Sequence, residues 1–267
     1  MLRLLSTRSY AERIADASSG VTLLDLPRFA RERFAFRGLC VSTEQLAGAD
    51  EQTLLALREA GDKASCPTLA LQEPAPLALA GLDVARAEEA QRRLLRVVRA
   101  AHLLGCSSLI VRLAPPEEEA GADATLDRLA ARLRSCVEAA ERLELNLLLA
   151  PTSGIFASSE GLSETIKKVG GFRMGSAPDF EAAAQAEDPA DAVRQLTPYA
   201  SCVIVSSLEF TPRGRHKAYD IVAMVRSLLE LGYDGPIVIE HRGGGDPDKA
   251  VTHALACVDA ALEEAQA

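Results

Sequence analysis

The chain has 267 residues, enough for one (β/α)8 barrel or two small domains, and 48% hydrophobic with 25% charged residues marks a globular chain with an ample core. A net charge of −9, no tryptophan and 4% aromatic residues argue against non-specific nucleic-acid binding, base stacking and attachment to an anionic membrane. No apolar run approaches the roughly 18 residues of a membrane span, and the segment from Met1 to Leu5 lacks the apolar centre of a signal peptide.

Taken in order, the chain alternates short apolar runs with helical stripes. Leu2–Leu5 is predicted as the first strand. Asp25 and Pro27 start a helix as cap and first-turn proline. Phe36–Val41 is strand two, and Asp50 caps a helix carrying Leu54 and Leu57. Pro67–Leu71 is strand three, ending at Gln72-Glu73-Pro74. A long helix from Asp83 presents Leu94, Leu95, Val98 and Ala101 and stops at Gly105. Strand four is Ser108–Leu113. The next helix carries the stripe Leu126, Leu129, Leu133, Val137 and Ala140. Leu145–Ala150 is strand five, and a short helix near Leu162–Val169 leads to strand six, Phe172–Ala177. An Ala-rich helical stretch covers about 188 to 197. Val203–Leu208 reads as strand seven because its β-branched residues form a short buried run. Ile221, Val225, Leu228 and Leu229 form the helix after it. Ile237-Val238-Ile239 runs into Glu240 as strand eight, and Asp246-Pro247 opens the last helix. Eight such units over 1–267, with no linker composition, predict a parallel sheet closed into a single barrel. The acidic stretch 116–121 reads as a solvated loop.

The six cysteines, Cys40, Cys66, Cys106, Cys136, Cys202 and Cys257, show no Cys-x-x-Cys spacing and read as buried free thiols in a reducing cytoplasm.

Four passages then resemble the xylose-isomerase-like TIM barrels of the sugar phosphate isomerase/epimerase family. They are Leu23–Phe34, Ala100–Arg112, Gly175-Ser-Ala-Pro-Asp-Phe180, and the ending from Leu196-Thr-Pro-Tyr-Ala200 through Gly232-Tyr-Asp-Gly-Pro-Ile-Val-Ile-Glu240. The resemblance implies a divalent metal at the C-terminal barrel mouth, held by carboxylates ending strands five, six and eight and by a histidine in strand seven. Such a cation polarises a substrate carbonyl or hydroxyl while carboxylates move protons. Carried over by position, Asp179 stands at the strand-six carboxylate and Glu240 at the strand-eight carboxylate. The strand-five carboxylate falls on Ala150, and the strand-seven histidine and lysine fall on Ile204 and Ser206. Cys40 falls loosely on another position where relatives carry Glu. With half of the ligand set replaced, no cofactor is expected beyond weak Mg²⁺ or Mn²⁺ at Asp179 and Glu240.

Period-two geometry places Glu240 with Val238, Ser206 with Ile204, and Ala150 with Leu148 on inward faces. The resemblance thus implies Glu240 and Asp179 as the candidate catalytic acids, and Arg112 and His216, at the end of strand four and in the loop after strand seven, are candidate substrate contacts. Each has a plainer alternative. Glu240 could be an ion-pair partner of Arg112, Asp179 a cap, Arg112 a buried counter-charge, and His216 an exposed loop residue. His241 is expected to face the helix layer, and His102 and His253 ride on helices. Gly243-Gly-Gly245 could cradle a phosphate, but Asp246 and Asp248 favour a flexible loop. The expected ligand is a small sugar-like molecule; nucleic acid and membrane are not expected as partners, and homo-oligomerisation stays open. Two functions compete: an isomerase, epimerase or related lyase on a sugar or polyol, and a non-catalytic barrel that binds a ligand or partner. Metal-dependent DNA-repair nucleases of this fold are disfavoured by the four histidines and the negative charge.

Overall fold

The alternation read from the sequence folds into one curled parallel sheet with helices outside it, in a computed structural model that describes residues 1–116 and 121–266. The strands are β1 (Arg3–Ser6), β2 (Gly38–Ser42), β3 (Thr68–Leu77), β4 (Ser108–Leu113), β5 (Asn146–Ala150), β6 (Met174–Ser176), β7 (Val203–Ser207) and β8 (Ile237–His241). The helices are α1 (Ala11–Ala15), α2 (Leu26–Phe34), α3 (Glu51–Lys63), α4 (Val84–Leu104), α5 (Ala122–Arg142), α6 (Ser159–Val169), α7 (Phe180–Ala183), α8 (Pro189–Leu196), α9 (Ile221–Glu230) and α10 (Pro247–Gln266). Neighbouring strands pair in the order β6-β5-β4-β3-β2-β1-β8-β7. The ring closes between β6 and β7 through parallel bridges from Ser176 to Ala200 and from Asp179 to Ile204. The Ile204 N–H donates to the Pro178 carbonyl at 2.8 Å there. This is the (β/α)8 barrel expected from eight strand–helix units.

The period-two pattern sorts the strand residues into two cores. Leu4, Cys40, Ala70, Ile110, Leu148, Ile204 and Val238 fill the barrel interior. Leu5, Leu39, Leu71, Leu109, Leu147, Val205 and Ile239 face the helices. On the helix side the stripe of α5 buries Leu129, Leu133 and Ala140, and that of α4 buries Leu94, Val98 and Ala101. Each buried leucine of this kind contributes roughly 1.5–3 kcal/mol of transfer free energy. Of the predicted caps, Asp50 forms, accepting from the Thr53 N–H at 2.8 Å, whereas Asp25 makes no side-chain cap bond to its helix and accepts from Thr22 before it. Asp83 caps α4 by accepting from the Arg86 N–H at 3.0 Å. Gly105 ends α4 with φ +79°, where a side chain would be strained.

Two strands and two short helices depart most from the sequence reading. β3 continues past Gln72 to Leu77, with a register irregularity between Glu73 and Leu77 where Pro74 and Pro76 withdraw two ladder donors. β6 is only Met174–Ser176, because the Gly170-Gly171 turn leaves Phe172 fully exposed. The short helices α1 and α7 carry too little apolar periodicity to announce themselves. Of the acidic stretch 116–121, residues 117–120 lie outside the described residues.

Candidate functional site

Each inward strand position just above the apolar interior supplies a polar side chain to the C-terminal mouth: Ser6 from β1, Gln72 from β3, Arg112 from β4, Ser206 from β7 and Glu240 from β8. Asp179, directly after β6, joins them, and Ala150 is the buried apolar exception on β5. The chain leaves β8 still in ladder register, with the Arg242 N–H donating to the Ser207 carbonyl at 2.8 Å. Residue 242 therefore keeps the inward parity of Val238 and Glu240.

Arg242 is the centre of the site. Its Nε donates to Glu240 Oε1 at 2.6 Å, its terminal nitrogens meet Asp179 Oδ1 at 3.1 Å and Oδ2 at 2.5 Å, and one of them also reaches Glu181 Oε2 at 2.6 Å. One planar guanidinium thus binds Asp179 bidentately and bridges it to Glu240, a geometry that a lysine could not reproduce. Glu240 is wholly buried and receives three further donors: Arg8 at 3.2 Å on Oε1, Ser6 Oγ at 2.7 Å on Oε2, and the Gln72 side-chain amide at 3.0 Å on Oε2. The Gln72 carbonyl oxygen accepts from Arg112 at 2.8 Å. Arg112 donates to Asp179 Oδ2 at 3.0 Å, and Ser206 Oγ donates to Oδ1 at 2.8 Å. Tyr219 closes the wall by donating its hydroxyl to the Ser206 carbonyl at 2.9 Å.

The electrostatics follow from this arrangement. Burial by itself would raise the Asp179 pKa, but the guanidiniums of Arg242 and Arg112 and the Ser206 hydroxyl outweigh it and hold the carboxyl below its usual range. Burial alone would lower the Arg242 pKa, and the facing Asp179 and Glu240 instead raise it, so this cation is permanent. Asp179 also does the local work of a cap, accepting from the Glu181 N–H at 3.2 Å to start α7.

A pH dependence follows. The folded Asp179 pKa lies below the unfolded one, so its contribution is complete above about pH 4 and is lost as pH falls through the folded value. Denaturation of wild type and Asp179→Asn at neutral pH and at about pH 3 is expected to show a stability gap that narrows on acidification. A gap that stays constant would remove Asp179 from the acid response.

The sequence-predicted residues fare differently. Arg112, Asp179 and Glu240 converge as expected, and Arg112 is the counter-charge of Asp179. His216 is buried, not an exposed loop residue. Its Nε2 accepts the Leu208 N–H at 2.9 Å, and its Nδ1 lies against the Tyr219 backbone, 3.1 Å from the carbonyl and 3.2 Å from the N–H. Both ring nitrogens are engaged with backbone, and burial pushes the imidazole pKa down. His241 faces the helix layer beside Ser207, as expected. Gly243 is a close-approach position rather than a flexible one, since a Cβ there would lie 2.3 Å from the Leu208 carbonyl oxygen. The sequence reading missed Arg242, Arg8, Gln72 and Glu181. For Arg242 the signal was present, because residues 238, 240 and 242 share one parity.

Beside Asp179, between the β5–α6 loop and the α7–α8 segment, lies a cavity of about 700 Å³. Thr152, Ser158, Ser159, Gln185 and Gln195 supply neutral polar groups and Glu160, Asp179, Glu187, Asp188 and Asp191 carboxylates, and among the described residues no lysine or arginine lines it. Among the described residues there is no group of three or more His, Cys, Asp or Glu side chains arranged to hold a metal ion. No helix of the described residues is long and apolar enough to cross a membrane.

Comparison with known proteins agrees with the architecture. A family model described as a xylose isomerase-like TIM barrel matches residues 34–261. No curated protein matches the sequence. Among solved structures, an L-ribulose 3-epimerase superposes with a TM-score of 0.79 at 17% identity, covering 99% of this chain and 95% of its own. The E. coli 3-keto-D-glucoside 4-epimerase superposes with 0.76 at 15% identity, covering 97% and 99%. A Mycobacterium smegmatis xylose isomerase-like barrel in complex with magnesium gives 0.72 at 16% identity, covering 100% and 98%. At these identities the likeness establishes the shared fold.

Proposed function

The chain belongs to the xylose isomerase-like TIM barrel family, and from that premise we propose that it is a metal-independent, non-catalytic barrel that binds a neutral polyol beside Asp179. One observation carries the reading: the Arg242 guanidinium bridges Asp179 and Glu240, the two carboxylates that the family resemblance assigns to metal.

The residues present do not fit a divalent cation. Asp179 and Glu240 already surround a fixed positive charge, and Glu240 accepts from four donors, about as many as a carboxylate can take. Ala150 and Ile204 offer no donor atoms where the resemblance puts the other ligands. A general base needs a free lone pair within reach of the proton it removes, and Glu240 has none to spare in this arrangement. Arg242 supplies the charge neutralisation of a cation without an open coordination position, so it supports binding and structure rather than turnover.

The neighbouring cavity supports a neutral, hydroxyl-rich ligand. Its hydroxyl, amide and carboxylate groups can donate to and accept from sugar hydroxyls, whereas its carboxylates oppose an anion. The sugar epimerases among the structural neighbours point to the same ligand class. Six free cysteines support a reducing, cytoplasmic setting.

The test combines three measurements on the purified chain. Elemental analysis should find substoichiometric metal, and Mn²⁺ should barely raise Tm. L-ribulose or D-tagatose should bind by calorimetry without incorporating solvent deuterium. One tightly held metal per chain, or carbon-bound deuterium in recovered sugar, would establish catalysis and end this reading. Absence of binding by every neutral sugar tried would remove its ligand class.

A further inference from the structure

A second cavity lies outside the barrel mouth. The β7–α9 connection, residues 208–220, folds back as a short hairpin in which Phe210 and His216 form an antiparallel bridge. The Thr211 N–H donates to the Arg215 carbonyl at 2.8 Å, the Gly214 N–H to the Thr211 carbonyl at 2.9 Å, and the Lys217 N–H to the Glu209 carbonyl at 2.9 Å. The Arg215 N–H donates to Thr211 Oγ1 at 3.1 Å. Gly214 takes φ +80° and comes so close to α10 that a Cβ would lie 2.7 Å from His253 Nδ1. The buried His216 anchors the base of the same loop. This is a loop of fixed shape, and between it and helices α9 and α10 is a cavity of about 600 Å³.

The charge lining that cavity runs against the charge of the whole chain. Arg213, Arg215, Lys217 and Arg226 line it, with Asp220 and Glu264 as the acids. The acids are occupied: Asp220 caps α9 by accepting from the Ala223 N–H at 3.1 Å, and Glu264 is ion-paired with Arg226. Lys217 is paired with Glu209 at 2.7 Å. Arg213 and Arg215 have no ion-pair partner among the described residues. Two exposed arginines at alternate positions of one hydrogen-bonded hairpin thus line a concave, partly apolar surface. Guanidinium forks match the planar oxygens of phosphate and carboxylate groups, and the N-terminal turn of α9 on the same wall favours negative charge.

We propose that this cavity is a separate binding site for a small, doubly charged oxyanion, held by Arg213 and Arg215, with the apolar part of the ligand lying on Val222, Ala256 and Ala260. It differs in chemistry from the groove beside Asp179, which no lysine or arginine among the described residues lines. The two sites would let the barrel carry a neutral ligand and an anionic one at once.

The test is amide chemical-shift mapping and calorimetry on the full chain at low ionic strength, with inorganic phosphate and succinate as separate probes. Shifts confined to residues 211–222 in the loop and the first turn of α9, and to α10 around 253–260, with affinity falling roughly tenfold or more in Arg213→Gln/Arg215→Gln, are expected for at least one probe. A response to phosphate alone assigns a phosphate ester, and a response to succinate alone a dicarboxylate. The exposed hairpin tip makes the double variant compatible with an unchanged Tm. No response to either probe, shifts centred on the mouth arginines Arg8, Arg112 and Arg242, or binding unchanged in the double variant would each overturn the proposal. Neutral-sugar binding beside Asp179 is expected to persist in that variant, so the two sites fail separately.

Discussion

Arg242→Ala is expected to destabilise the protein by about 3–5 kcal/mol, the usual cost of removing one partner from a buried ion pair. The residues left behind set the size of the effect. Asp179 and Glu240 are 2% and 0% exposed, and both keep only their weaker counter-charges, Arg112 and Arg8. For a chain of this length that loss corresponds to a fall in Tm of about 10 °C. The cluster as a whole is not a net source of stability, because desolvating its charges offsets much of their attraction. The cost appears only when one sign is removed. Arg242→Lys restores the charge but not the fork, so an intermediate loss is expected.

The same variant should acquire a property that wild type lacks. Removing the guanidinium leaves Asp179, Glu181 and Glu240 converging on one vacated position. Three carboxylates around the space of a guanidinium, open to water, suit a hard divalent cation that keeps some of its waters. Mn²⁺ or Mg²⁺ is therefore expected to raise the Tm of Arg242→Ala while leaving wild type nearly unchanged. A saturating cation would recover about 2.7 kcal/mol at a hundredfold excess over its Kd. Thermal melts with and without Mn²⁺ decide it. An Arg242→Ala protein as stable as wild type, or one indifferent to the cation, would show that this guanidinium is not standing in a cation site.

Gly243→Ala is expected to cost about 2–3 kcal/mol, in the range for forcing an extra methyl into a packed position. The added Cβ would meet the Leu208 carbonyl oxygen at 2.3 Å and its carbon at 2.7 Å, both backbone atoms that cannot swing aside. The β8–α10 turn must then retreat from the β7–α9 loop and draw the adjacent Arg242 out of register with Asp179. Gly244→Ala is the matched control. Nothing lies within 4 Å of its would-be Cβ, so a change within about 0.5 kcal/mol is expected. Equal costs for the two variants in urea denaturation would show that glycine here matters for chain flexibility and not for close approach.

Taken by itself, the sequence determined the architecture and the direction of the site. The alternation of β-branched runs with helical stripes forced a parallel sheet, and the strand period of two fixed which residues face inward. That is why Arg112 and Glu240 could be placed at the mouth before any coordinates, and why Ala150 and Ile204 read as apolar replacements on inward faces. The same parity reached Arg242, two residues past Glu240, but parity states only which way a side chain leaves the backbone. What a long, flexible arginine binds depends on acids that arrive from elsewhere in the chain. Asp179 and Glu181 lie 63 and 61 positions earlier, at the start of α7 just after β6. Only ring closure across the short β6 edge brings that segment beside β8. His216 makes the same point in reverse: its loop position suggested an exposed ligand, whereas the hairpin folds its ring inward onto the Leu208 and Tyr219 backbone. Charge pairing and loop packing are long-range, and they were settled when the barrel closed.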